Sequence, residues 1–140
     1  MMDGAQANAG TGSPGTGLGI VTLDDSSNLL NWDVSWSGLT GSPTLQHFHG
    51  PAAPGANAGV EVGIGVASNP AIGSATISAT QATDLLNELW YAHLHTSTSS
   101  GGEIRGQVRL VPEPATIGLF GMAAMGLVGF VLHRRRKLNK

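Results

Sequence analysis

Alternation of apolar and polar residues is the dominant pattern in the first 111 residues of the chain. Because successive side chains of a strand point to opposite faces, this period of two predicts half-buried β-strands. Seven segments show the alternation: 18–23, 32–36, 44–49, 60–66, 75–79, 89–96 and 103–110. Stretches rich in glycine, proline, serine, asparagine and aspartate separate them, as expected for tight turns.

One stretch, 80–88, breaks the period and predicts a short helix. Thr80 is its expected N-cap, with Asp84 near the positive end of the helix. Seven short strands, one helix and tight turns predict an all-β fold. The architecture expected is a Greek-key sandwich or a small Greek-key barrel.

The pattern changes at residues 115–132, a run of 18 residues without a charge. As a helix this run is ~27 Å long, close to the ~30 Å hydrocarbon core of a membrane. Four cations follow it, Arg134, Arg135, Arg136 and Lys137. Such residues stay on the cytoplasmic side, so the prediction is one transmembrane helix with residues 1–111 outside. A buried core helix is the alternative.

Composition and charge exclude several classes of function. Residues 1–111 carry eight acids and two bases, a net charge of −6, while residues 112–140 carry a net charge of +4. A body this acidic argues against nucleic acid as a partner, because that affinity depends on lysine and arginine. The chain has no cysteine, which excludes disulfides, thiolate zinc sites, iron–sulfur clusters and a thiol nucleophile.

The tripeptide Pro112-Glu113-Pro114 lies directly before the apolar run. This motif, the apolar run and the basic tail 133–140 together resemble the PEP-CTERM sorting signal. The resemblance implies a bacterial exported protein that is anchored in the inner membrane and then processed by an exosortase. It further implies a final place at the cell surface or in an extracellular matrix, with exopolysaccharide or surface proteins as partners.

The N-terminus lacks the basic and apolar regions of a signal peptide. We therefore expect the natural chain to be longer at this end. Residues 1–15 are interpreted as a flexible remnant of a truncated first strand.

Three further blocks carry a second resemblance. They are His-Phe-His-Gly-Pro-Ala at 47–52, Tyr-Ala-His-Leu-His-Thr at 91–96 and Gly-Glu-Ile-Arg-Gly-Gln at 102–107. In content and order they are similar to the CHRD domain, over residues 16–111. The resemblance implies an immunoglobulin-like β-barrel, distantly similar to copper–zinc superoxide dismutase. At the position of His93 the family more often has asparagine.

Four of the five histidines form two His-x-His pairs, His47 with His49 and His93 with His95. Within each pair the side chains share a strand face and lie ~6.5–7 Å apart. If the two strands are neighbours, the imidazoles converge, and imidazole suits copper and zinc. The alternative is a framework role, in which His49 hydrogen-bonds the loop 50–59 and His95 the turn 97–102.

Glu103 and Arg105 also share a strand face. They form either a polar site near His95 or an ion pair that orders the adjacent glycine turn. No catalytic constellation is visible in the sequence, so we expect a protein without enzymatic activity. The leading hypothesis is a structural or adhesive exported module that needs no cofactor. The alternative hypothesis is a copper- or zinc-binding module.

Overall fold

Eight strands and one helix make up residues 1–7 and 10–111, the part of the chain that the computed structural model describes. The elements are β1 (Met2–Asp3), β2 (Thr16–Asp24), β3 (Leu29–Ser37), β4 (Pro43–His49), β5 (Val60–Gly63), β6 (Ala71–Thr76), α1 (Ala79–Leu86), β7 (Tyr91–Thr96) and β8 (Ile104–Gln107). All strand pairs are antiparallel. The strands form a single sheet in the order β5-β4-β7-β8-β1-β2-β3-β6.

The sheet curls into a nearly closed barrel around an apolar core. Trp32 of β3 and Phe48 of β4 are in edge-to-face contact with ring centroids 5.8 Å apart. Four strands lie between β3 and β4 in the sheet order, so this contact crosses the interior. Of the sandwich and the barrel that the sequence left open, the described strands adopt the barrel-like form.

Alternation explains which side chains fill the core. On β3, Leu30, Trp32 and Val34 are buried, and the residues between them are more exposed. On the other side of the barrel, Phe48 and Leu94 are fully buried. The period-two signal in the sequence is therefore the signal of an inward apolar face and an outward polar face.

The helix is present, but its N-cap was predicted wrongly. The helix begins at Ala79, and the N-cap is Ser78, whose hydroxyl accepts a hydrogen bond from the Gln81 N–H. The Gln81 side chain in turn accepts from the Ser78 N–H, which completes a capping box. Thr80 is inside the first turn, and Asp84 lies beyond that turn, where it gains little from the positive end of the helix dipole.

The N-terminal residues belong to the sheet. Strand β1 lies between β2 and β8, with Met2 opposite Gly17 and Asp3 opposite Arg105. Met2 and Ala7 are buried. A strand of two residues is too short to show alternation, which explains why the sequence pattern did not reveal it.

The predicted strand 75–79 differs from the structure, in which β6 occupies Ala71–Thr76.

Within residues 1–7 and 10–111, the structure contains no helix long and apolar enough to cross a membrane. The predicted span 115–132, the motif 112–114 and the tail 133–140 lie outside the described residues.

The capping box gives a direct test of the helix start. Replacing Ser78 by alanine should lower the free energy of unfolding by about 1 kcal/mol, because the first turn loses a capping acceptor. Replacing Thr80 by alanine should change it little, since alanine is the better helix former. Urea unfolding of both variants measures the difference, and a larger loss for the Thr80 variant would contradict the structure.

Candidate functional site

The outward face of β4, β7 and β8 carries a row of polar and aromatic side chains. His47 is directly opposite His93, which is opposite Arg105, while His49 is opposite Tyr91. Directly paired residues of antiparallel strands point to the same face. The two His-x-His pairs are therefore on neighbouring strands and on one face, as the sequence pattern predicts.

Three of the four histidines converge. His47, His49 and His95 each offer a ring nitrogen, and these nitrogens lie within 4.8 Å of one another. The ring centroid of His47 is 5.6 Å from that of His49 and 5.6 Å from that of His95. His49 is buried, whereas His47 and His95 are half-buried. The cluster thus lies on the outward face of the barrel and is partly shielded from solvent.

Hydrogen bonds to backbone carbonyls fix the tautomers of two of these rings. The Nδ1 atom of His49 is 3.1 Å from the Ala58 oxygen, and Nδ1 of His95 is 2.9 Å from the Ser100 oxygen. A carbonyl oxygen only accepts, so each Nδ1 must carry a proton, and in a neutral ring of this tautomer Nε2 carries the lone pair. Both Nε2 atoms are buried without a hydrogen-bond partner, as is Nδ1 of His47. Metal-binding histidines commonly have this arrangement.

The carbonyl contacts are also those of the framework interpretation, in which His49 holds the loop 50–59 and His95 holds the turn 97–102. The two interpretations use different atoms of the same ring. The framework contact occupies Nδ1, and the free Nε2 remains available as a ligand.

The fourth histidine is next to the cluster without being part of it. The ring centroid of His93 is 4.6 Å from that of His95, but His93 is not among the three converging donors. Its Nε2 packs against Gly102, where an added Cβ would lie only 1.7 Å from that nitrogen. Gly102 has a φ of +110°, which only glycine adopts readily.

Burial favours the neutral form of His47, His49 and His93. Burial is the main cause that lowers the pKa of His93 to about 3, and the nearby His95 and His49 lower it further. The pKa values of His47 and His49 are also below the usual 6.5, mainly through burial. Neutral imidazole is the form that binds metal ions.

A stack of side chains supports the cluster from the β8 side. The ring of His49 is parallel to that of Tyr91, with centroids 5.0 Å apart, and the guanidinium carbon of Arg105 is 3.4 Å from the centroid of Tyr91. Arg105 also donates hydrogen bonds to the Ala56 carbonyl and to the Asn57 side chain. These contacts hold the loop 50–59 over the outward face.

Glu103 and Arg105 do not form the ion pair that was one of the two sequence hypotheses. Glu103 is fully buried, and its carboxylate accepts three hydrogen bonds of 2.6 Å, from the Ser13 hydroxyl, the Thr40 N–H and the Thr96 hydroxyl. Burial alone would raise the pKa of Glu103, but these donors outweigh it and lower the pKa to about 2. Among the described residues the ion pair is between Arg109 and Glu88.

Sequence reasoning missed several groups that build this region. Tyr91 was part of a quoted motif, but nothing in the pattern indicated its stacking. The framework interpretation predicted the loop 50–59 and the turn 97–102 as partners of His49 and His95, but the sequence could not show which carbonyl accepts, since any residue has a carbonyl. The partners of Glu103 are distant in sequence, with Ser13 ninety positions away.

The comparisons with known proteins agree with both resemblances. The model of the CHRD domain matches residues 1–108, and that of the PEP-CTERM protein-sorting motif matches residues 110–137. The chain therefore belongs to the CHRD domain family, and it carries a PEP-CTERM sorting motif at its C-terminus. The match to the CHRD domain includes residues 1–15. No curated protein and no solved structure matches the chain.

The sorting motif has a direct consequence for location. It implies recognition by an exosortase and anchoring in the membrane before processing, and hence a secreted, extracytoplasmic protein.

The buried carboxylate predicts a stability effect. Replacing Glu103 by glutamine should lower the free energy of unfolding by about 1–3 kcal/mol, because the side chain becomes neutral and its amide nitrogen, in place of one carboxylate oxygen, cannot accept the hydrogen bonds made there. The control is Glu61→Gln, since the amide oxygen can still accept the hydrogen bond from Gln81. Equal stability of the two variants in urea unfolding would contradict the role given to Glu103.

The same group predicts a pH dependence. The pKa of Glu103 is about 2 in the folded protein against an ordinary value of 4.5. Between these values the unfolded chain binds the proton and the folded protein does not, so stability falls as the pH is lowered. The contribution should be complete above pH 4.5 and lost as the pH falls to about 2. Unfolding of the parent and of Glu103→Gln across this range should show a weaker pH dependence in the variant.

Proposed function

We propose that the chain is an exported structural or adhesive module that an exosortase releases from the inner membrane to the cell surface or the extracellular matrix. The observation that carries the proposal is the order of the two matches. The CHRD domain ends at residue 108, and the sorting motif begins at residue 110. A folded barrel followed immediately by a sorting signal is expected of a domain that is itself the exported product.

The end of the barrel supports this division. The Val108 N–H bonds the Trp90 carbonyl, and the Glu88 carboxylate accepts from both the Leu110 N–H and Arg109. The chain is thus tied to the barrel up to Leu110, two positions before Pro112. A cut at or after the motif would leave every strand of the barrel intact.

Processing is tested by replacing Pro112, Glu113 and Pro114 together with alanine in the natural host. The variant should stay in the membrane fraction at full length, because the exosortase no longer recognises it. Val111→Ala, an exposed neighbour of the motif, is the control and should be processed normally. Unchanged release of the triple variant would contradict the proposal.

Topology is tested by adding protease to spheroplasts that contain the triple variant. The basic residues 134–137 should remain inside and the barrel outside. An epitope at the C-terminus should therefore survive while the barrel is digested. Protection of the barrel in intact spheroplasts, with digestion after permeabilisation, would reverse the proposed orientation.

The histidine cluster favours a second candidate function, the binding of copper or zinc outside the cytoplasm. Three imidazoles converge, and two of them have their tautomers fixed with Nε2 unprotonated. For nitrogen ligands Cu²⁺ binds more tightly than Zn²⁺, so copper is the first expectation.

Metal binding is tested by elemental analysis of the full chain after incubation with Cu²⁺ or Zn²⁺ and removal of the excess. One ion per chain is expected for the parent and none for His47→Gln/His49→Gln. The control is His133→Gln, a histidine far from both pairs in sequence, which should still bind one ion. Absence of metal from the parent would leave the histidines with the framework role alone.

A further inference from the structure

We propose that this metal site has only three protein ligands and that its fourth position accepts a small anion from solution. The proposal rests on the second candidate function, since it concerns the metal bound by His47, His49 and His95. The ligand class is a compact monodentate anion such as hydroxide or azide. Four observations point to this arrangement.

The first observation is the number of donors. The described residues bring three histidine nitrogens together, and no carboxylate belongs to the group. Catalytic zinc sites with three protein ligands keep a further position for water or an exogenous ligand. The three donor nitrogens lie within 4.8 Å of one another. Zn–N bonds are ~2.0–2.1 Å long, so nitrogens that bind the same ion lie closer together than this limit. Small ring rotations would bring the three donors onto the ion.

The second observation concerns the nearest candidate for a fourth ligand, His93, whose Nε2 is also buried without a hydrogen-bond partner but is not among the converging donors. The Nε2 atom of His93 is turned toward the backbone of Gly102, so close that no side chain fits there. Moving this nitrogen to the cluster would require the ring of a residue that is only 4% exposed to turn within its packing. His93 therefore borders the site and leaves the fourth position unfilled.

The third observation is the balance of charge. Three neutral imidazoles leave the whole charge of a bound dication uncompensated. Among the described residues the buried carboxylate is that of Glu103, which is occupied by three donors of its own. Arg105 adds a positive charge, since it lies over Tyr91, which stacks on His49. A half-buried dication beside a guanidinium favours an anionic ligand that reduces the local charge.

The fourth observation is access. His47 and His95 are half-buried, whereas His49 and His93 are buried. The more exposed side of the cluster is thus the side of His47 and His95, although the donor nitrogens themselves are buried. A small anion would have to approach from that side as the rings turn toward the ion, because His93 and the loop 50–59 cover the cluster elsewhere.

The test uses the full chain loaded with Cu²⁺ and titrated with azide, which gives a charge-transfer absorption when it binds Cu²⁺. A saturable band that corresponds to one azide per copper, with a matching change in the electron paramagnetic resonance spectrum, is expected. His93→Gln should bind copper and azide with the same stoichiometry, because His93 is not a ligand. His133→Gln is the matched control and should behave as the parent does.

The outcomes separate the two proposals. Failure of the parent to bind copper would remove the metal-binding function itself. Copper binding without an azide band would show a closed coordination sphere and overturn the present inference alone. An azide band that appears only in His93→Gln would do the same, because it would identify His93 as the fourth ligand. Circular dichroism of each variant checks that the barrel is intact.

Discussion

The buried carboxylate of Glu103 is the interaction on which the candidate site depends. Its three donors come from the lead-in to β2, the loop after β3 and the end of β7. It also precedes β8 directly, and its N–H bonds the Leu94 carbonyl. These contacts anchor both ends of the turn 97–102. That turn supplies the Ser100 carbonyl that orients His95 and the glycine that confines His93. A charge that is isolated from water thus sets the geometry of imidazoles that it does not contact.

Much of the fold could be predicted from the sequence because one physical rule governs most of it. Alternation reports which residues face the core, and on β3 it identified Trp32 and Val34 correctly. Alternation gave no prediction, or a wrong one, where a segment is held by its neighbours or by local hydrogen bonds. Strand β1 is held by its neighbours β2 and β8 and has no period of its own. The N-cap was misplaced by two residues because serine and threonine are both good caps, and only the backbone shows which hydroxyl reaches a free N–H. The immunoglobulin-like assignment implied by family resemblance stays a prediction.

The candidate site was predictable to the extent that it follows from strand pairing. The spacing of two within each pair fixes the face, and the neighbouring positions of β4 and β7 bring His47, His49 and His95 together. The family resemblance, in which asparagine is more usual at the position of His93, set this residue apart from the other three, but the backbone contact with Gly102 was not predictable. The role of Glu103 was also hidden, since its partners come from three distant segments. Sequence proximity to Arg105 suggested a pair, whereas burial with three hydrogen-bond donors was the stronger constraint.

In His49 and His95 one ring nitrogen contacts a carbonyl and the other has no partner, and this has a consequence for the exchange of a metal ion with the surroundings. Carbonyls of the chain hold the rings of His49 and His95, so the protein itself orients these two side chains in the absence of an ion. The apolar interior of the barrel is built from other residues and needs no ion to assemble. An ion bound there would bind to a barrel that is already folded, unlike a structural zinc that holds a small domain together. Its occupancy would then follow the free concentration outside the cell, and the protein would survive both loading and release.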